Sequence, residues 1–196
     1  MTDQERMHVI KSMWSPLINS TVSGGTLPAS FLAALIANES GGDANAKRFE
    51  PLVLIALWKV LLGRTAAYGS IGGQDIVKFV AFAANIPVVA PRLLPADAFQ
   101  RLDSLATSWG LTQIMGYEAI AFQLGATVDA LKKPDTELPI TVRMLKQFAE
   151  RNALDLAKDF DQLFDCWNTG RPHAQTADPQ YIPNGLARMK IYEALA

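Results

Sequence analysis

Residues 27–42 read LPASFLAALIANESGG, and this stretch decides the fold because it predicts a buried helix with a defined start and stop. Pro28 suits the first turn of a helix, and the paired glycines 41 and 42 suit its end. Leu35 and Ile36 share one face of that helix, and the next position on the face is Glu39. The apolar face of the predicted helix therefore ends at a carboxylate, that of Glu39.

A carboxylate at position 39 is disfavoured in two ways. The apolar stripe removes part of its solvent, and the last helical turn presents the negative end of the helix dipole. Both effects are expected to raise the pKa of Glu39, which is what a general acid that works near neutral pH needs. The alternative is a frayed helix-end glutamate that points into water, since glutamate is usually exposed.

Helical periodicity continues along most of the chain, and strand-like alternation is scarce, which predicts an all-α fold. The run 51–62 is the most apolar and is predicted to be a fully buried core helix. No linker or repeat divides the sequence, so we expect a single domain over residues 1–196. Further helices are predicted over residues 3–20, 74–84, 95–107, 117–124, 138–151, 153–167 and 184–195, with an extended proline-rich run over residues 86–95.

Composition narrows the class of protein. Of the 196 residues, 49% are hydrophobic and 19% are charged, a composition typical of a globular protein. The net charge of −1 gives no general attraction to nucleic acid or to an anionic membrane. The single cysteine, Cys166, excludes an internal disulfide and is expected to be a small core residue. His8 and His173 are far apart in sequence without ligand spacing, so we predict neither a metal site nor a cofactor.

The chain shows no targeting or membrane segment. Residues 1–6 are polar where a signal peptide would be basic and then apolar. The run 51–62 is interrupted by Lys59 and is shorter than the ~20 residues of a membrane helix. We therefore expect a monomer that is made in the cytoplasm without a cleaved export signal and does not insert stably into membranes.

Three short segments at the edges of predicted helices combine residue types that are typical of a binding site. The first is Glu-Ser-Gly-Gly at 39–42, the second is Trp-Gly-Leu-Thr-Gln-Ile-Met-Gly at 109–116, and the third is Cys-Trp-Asn-Thr-Gly at 166–170. Tyr181 follows the third segment.

The order and spacing of these segments resemble the lysozyme-like peptidoglycan-cleaving superfamily, in particular goose-type lysozymes and soluble lytic transglycosylases. Thr112 stands where those families usually have Met, and Trp167 stands where they usually have Tyr. The long interval between Glu39 and Gly110 is more similar to the N-acetylmuramidases of phage endolysins, in which a Phe-Glu pair like that at 49–50 follows the Glu-Ser segment. The resemblance spans roughly residues 28 to 195 and implies a two-lobed helical domain with its cleft between the lobes.

The resemblance implies an enzyme that cleaves the β-1,4 bond between MurNAc and GlcNAc in peptidoglycan glycan strands. Glu39 would be the general acid, and a second carboxylate would aid the oxocarbenium-like state, with Glu50 preferred over Asp43. Glu50 could equally be an acid that favours a helix start. The predicted substrate contacts are Ser40, Gln113, Tyr117, Asn168 and Tyr181, while Trp167 is assigned to the core.

Two alternatives remain open at the level of sequence. A lytic transglycosylase would use the muramyl C6 hydroxyl as nucleophile, leave 1,6-anhydro ends and need no second protein carboxylate. A helical module that binds glycan without cleaving it would keep the fold and lose the chemistry. In each case the expected place of action is the bacterial cell wall.

Overall fold

The computed structural model describes residues 1–81, 98–122 and 127–195, and over these ranges the chain is mostly helical, which confirms the all-α class. The predicted extended run 86–95 lies outside the described residues, as do the last residues of the helices predicted over 74–84 and 117–124 and the first residues of the helix predicted over 95–107. None of the described helices is both long and apolar enough to span a bilayer.

The helices differ in length from four to twenty residues, and the strands are two or three residues long. The helices are α1 (Asp3–Val22), α2 (Ala29–Glu39), α3 (Pro51–Leu61), α4 (Gly73–Ala81), α5 (Ala98–Leu105), α6 (Glu118–Ala121), α7 (Pro134–Asn152), α8 (Phe160–Thr169) and α9 (Tyr181–Ala194), with a 3-10 helix over Val128–Lys132. The strands are β1 (Lys47–Phe49), β2 (Ala67–Tyr68), β3 (Ile71–Gly72), β4 (Thr107–Trp109) and β5 (Ile114–Met115).

The chain divides into two compact units. The first comprises residues 1–46, 110–112 and 133–196, and the second comprises residues 47–109 and 113–132. Each unit has its own cluster of buried apolar side chains.

Helix α2 is the centre of the first unit, where it packs against α1 and α9. Every residue from 30 to 37 is buried, and the Phe31 ring stacks on Phe164 with 4.4 Å between centroids. The predicted stop is confirmed: Gly41 has a φ of +66° and donates its N–H to the Ile36 carbonyl at 3.1 Å. Pro28 occupies the N-cap position, one residue before the first turn in which the sequence predicted it. Burial of each large apolar side chain contributes about 2 kcal/mol.

The second unit is built on a small antiparallel sheet in the order β1-β4-β5, with Lys47 opposite Trp109 and Ser108 opposite Met115. A second antiparallel pair of strands, β2 and β3, lies between α3 and α4. The prediction that residues 51–62 are fully buried is wrong, because Leu52 is 79% exposed and Ile55 is 50% exposed. Only one face of α3 contributes side chains to the core cluster of this unit.

Several predicted helix boundaries are also wrong. The helix predicted over 153–167 begins only at Phe160, because the side chain of Asp159 accepts the Asp155 N–H at 2.7 Å and the side chain of Asp155 accepts the Ala157 N–H at 2.8 Å. These bonds compete with helix formation.

Two proline positions differ from expectation as well. Helix α7 begins at Pro134, so Pro139 lies inside it, and α9 begins at Tyr181, so Pro183 lies in its first turn. Helix α1 begins at Asp3 as predicted and ends at Val22, two residues beyond its predicted end.

Candidate functional site

Hydrogen bonds within the first unit join the three segments that the sequence singled out. The Ser40 hydroxyl donates to the Leu111 carbonyl at 2.8 Å, which links the first segment to the second. The Trp167 indole N–H donates to the Thr112 carbonyl at 3.2 Å, which links the second to the third. The Tyr181 hydroxyl donates to Oε1 of Glu39, which links the first segment to the start of α9.

Glu39 is the last residue of α2, is half-buried, and has its carboxyl group oriented by Tyr181. Tyr181 is itself fixed, because the Asn38 side-chain amide donates to its carbonyl at 2.9 Å. Arg188 in turn donates to the Asn38 side-chain oxygen at 2.6 Å. The geometry thus provides a half-buried carboxyl group to which a fixed tyrosine hydroxyl donates.

Burial raises the pKa of Tyr181 well above its usual value, and the neighbouring Glu39 charge raises it further. The phenol therefore stays protonated and remains a hydrogen-bond donor across the physiological pH range.

A buried acid that sequence reasoning missed holds the second segment in place. Glu137, on α7, is fully buried, and its Oε2 accepts the Leu111 N–H at 2.8 Å. Its Oε1 accepts both the N–H and the hydroxyl of Thr112, at 2.7 and 2.8 Å. Gly110 must be glycine here, because a Cβ would overlap the Glu137 carboxylate and its φ is +77°.

Burial raises the pKa of Glu137 to about 7, against the lowering effect of the hydrogen bonds from Thr112 and Leu111. A protonated Glu137 can donate to the Thr112 hydroxyl, which lies 2.8 Å from the Thr141 hydroxyl. Thr141 in turn donates to the Glu137 carbonyl at 3.1 Å. This continuous chain accounts for a threonine at position 112, where the resembling families have Met.

Glu50, Gln113 and Tyr117 belong to the second unit, and each makes a defined contact there. Glu50 occupies the N-cap position of α3 without a capping hydrogen bond from its side chain, and it is ion-paired with Arg48 at 2.6 Å. Gln113 has a φ of +56°, and its side-chain oxygen accepts the Ser108 hydroxyl at 2.8 Å.

Tyr117 packs edge-to-face on Tyr68 with 5.2 Å between ring centroids, and burial raises the pKa of its phenol. In the first unit Tyr181 contacts Glu39, and Ser40 is the next residue in the chain. For Glu50, Gln113 and Tyr117 the contacts given above lie within the second unit.

The remaining candidates lie in the first unit. Asn168 is exposed in the last turn of α8. Asp43 is exposed and accepts the Asn45 N–H at 2.8 Å in a local turn. Trp167 is half-buried and packs against the core cluster.

Cys166 is fully buried, which confirms its assignment to the core, and burial raises the pKa of its thiol to about 11. Within residues 1–81, 98–122 and 127–195, no group of His, Cys, Asp and Glu side chains is arranged to hold a metal ion.

Comparisons with protein-family models, with curated proteins and with solved structures found no match. The resemblance to lysozyme-like proteins therefore depends on the residues named above.

Proposed function

We propose that the protein is a lysozyme-like muramidase that cleaves the β-1,4 MurNAc–GlcNAc bond of peptidoglycan, with Glu39 as its general acid. The observation that carries the proposal is the hydrogen bond from the Tyr181 hydroxyl to the half-buried Glu39 carboxyl group, which joins residues 142 positions apart in the chain. Beside it, the bonds from Ser40 to the Leu111 carbonyl and from Trp167 to the Thr112 carbonyl connect the three segments.

The chemistry follows from the contact between Glu39 and Tyr181. When Glu39 protonates the glycosidic oxygen, a negative charge develops on its carboxylate. The Tyr181 hydroxyl already donates to that carboxylate, so it stabilises the charge as the proton leaves. An interaction that strengthens along the reaction lowers the barrier without tightening substrate binding equally.

The near alternative is a lytic transglycosylase, a reaction that needs no second protein carboxylate. The two candidates for a second carboxylate, Glu50 and Asp43, both have other partners, which supports this alternative. Glu50 is engaged by Arg48, and Asp43 accepts a backbone N–H of its own turn. Mass spectrometry of the released muropeptides separates the two reactions. Reducing MurNAc ends support hydrolysis, and 1,6-anhydro ends support transglycosylation.

The proposal is tested by Glu39→Gln, which keeps the size of the side chain and removes the acidic proton. Clearing of purified cell walls should fall by at least ~100-fold, the low end for general acid catalysis. Glu150→Gln is the matched control, because it is the same substitution at an exposed position on α7 of the same unit.

Circular dichroism must show that both variants fold. A folded Glu39→Gln protein with near-normal activity would contradict the assignment of Glu39. A wild-type protein that sediments with cell walls without clearing them would instead identify a glycan-binding module.

A further inference from the structure

The second unit contains a pocket with a volume of about 820 Å³ that none of the assignments above uses. Its walls come from the end of α4, from α5, from β4 and from the 3-10 helix at Val128–Lys132. A volume of this size lies within the range of pockets that hold small organic ligands, roughly 300–1,000 Å³.

The lining of the pocket is electropositive. Among the lining residues that the structure describes, three are cationic (Lys78, Arg101 and Lys132) and one is anionic (Asp129), a net charge of two positive, whereas the whole chain has a net charge of −1. Asp129 pairs with Lys132 at 2.8 Å. Lys78 is exposed and forms no ion pair with any residue that the structure describes. Such a concentration of one sign of charge in a concave surface attracts anions.

Trp109 gives the pocket a fixed wall. Its indole N–H donates to the Ser104 carbonyl at 3.0 Å, and the Lys132 ammonium lies 4.7 Å from the centre of its ring. The cation–π contact and the Asp129 pair together hold Lys132 at the rim. Arg101 adds a planar guanidinium, which suits bidentate binding of carboxylate or phosphate.

We propose that this pocket binds an organic anion of about the size of a sugar, through a carboxylate or phosphate group that Lys78, Arg101 and Lys132 hold. The inference goes beyond the proposed function and does not depend on the chemistry of Glu39. The three cations line one concave pocket, which fits a small ligand better than a nucleic acid backbone that follows a long basic surface.

The test uses three probes with one ring: glucose 6-phosphate, glucuronate and glucose, titrated into the wild-type protein by calorimetry. At least one of the two anions should bind at least about tenfold more tightly than glucose. The reason is that a hydrogen bond to a charged group contributes more binding free energy than a hydrogen bond between neutral groups. Added salt should weaken that binding. The tighter of the two anions identifies phosphate or carboxylate as the preferred group. No saturable binding of either anion, or equal binding of glucose, would overturn the proposal.

Lys78→Gln tests the place of binding, because its side chain is exposed and its loss leaves no buried group unpaired. Lys59→Gln is the matched control: Lys59 is an exposed helical lysine of the same unit that does not line the pocket. We expect Lys78→Gln to weaken anion binding about tenfold and Lys59→Gln to leave it unchanged. Equal weakening by both variants would assign the binding to overall charge and overturn the proposal. Because the readout is binding, an inactive Glu39 would not affect the result.

Discussion

The buried carboxyl group of Glu137 should make the stability of the protein depend on pH in a direction opposite to that of an ordinary ion-paired acid. Its pKa rises from 4.5 to about 7 because burial disfavours the charged form. One pKa unit corresponds to about 1.4 kcal/mol, so an ionised Glu137 costs the folded state about 3 kcal/mol relative to the unfolded chain.

The sign follows from proton binding. Between about pH 4.5 and 7 the folded state holds a proton on Glu137 that the unfolded chain has lost, so stability falls as pH rises through this window. The contribution is fully present below the unfolded pKa and is lost above the folded one.

Glu137→Gln removes this titration while keeping the shape of the side chain. The glutamine amide cannot accept from both Leu111 and Thr112, so one buried N–H loses its partner. The variant should therefore be less stable than the wild type by about 1–3 kcal/mol near pH 4.5. By pH 8 the wild type has lost its ~3 kcal/mol, so the two proteins should then be of similar stability.

The assay is urea unfolding followed by far-ultraviolet circular dichroism at half-unit steps from pH 4.5 to 8. Glu150→Gln is the control, because Glu150 is exposed on the same helix. A gap between the wild type and Glu137→Gln that stays constant over the whole range would refute the reasoning. It would mean that the three hydrogen bonds to the carboxylate outweigh its burial.

Three further predictions follow from single contacts. Tyr181→Phe keeps the ring and removes the donor to Glu39, so turnover of cell walls should fall about tenfold or more, and an unchanged rate would exclude a role for the hydroxyl. Gly110→Ala should lower the free energy of unfolding by about 2 kcal/mol or more in thermal unfolding, because the added Cβ overlaps Glu137. Gly24→Ala is the control: Gly24 has a φ of +75° but open space around it, so this change should lower the free energy of unfolding by about 1 kcal/mol. Cys166, whose thiol pKa is raised to about 11, should resist alkylation at pH 8 until the protein unfolds, as mass spectrometry would report; rapid labelling of the native protein would contradict its burial.

The parts of the fold that sequence could predict are those that depend on neighbouring residues. Helix α2 has its apolar run, its acid and its glycine stop within residues 27–42. Whether an apolar helix is buried depends on which other elements pack against it. The prediction that α3 is covered on all sides is therefore wrong, although its sequence is strongly apolar. Strands of two or three residues, such as β4 and β5, are too short to show alternation.

The same limit applies to the candidate site. The types of residue in the three segments indicated a common location, and Ser40, Trp167 and Tyr181 make the contacts between them. Glu137 gave no signal, because an acid three residues after Pro134 looks like any acid in a first helical turn. Its partners lie 25 and 26 residues earlier in the chain, and only the tertiary structure brings them to it.

The arrangement of the first unit has a consequence for synthesis on the ribosome. Helix α2 is covered largely by α9, and the hydroxyl partner of Glu39 lies 142 residues further along the chain. At 5–20 residues per second, that partner is made roughly 7 to 28 s after Glu39. During this interval α1 is available to pack on α2 but α9 is not, so we expect a chaperone to compete for the face of α2 that α9 covers in the folded protein. The contact between Tyr181 and Glu39 can form only after residue 181 has been made.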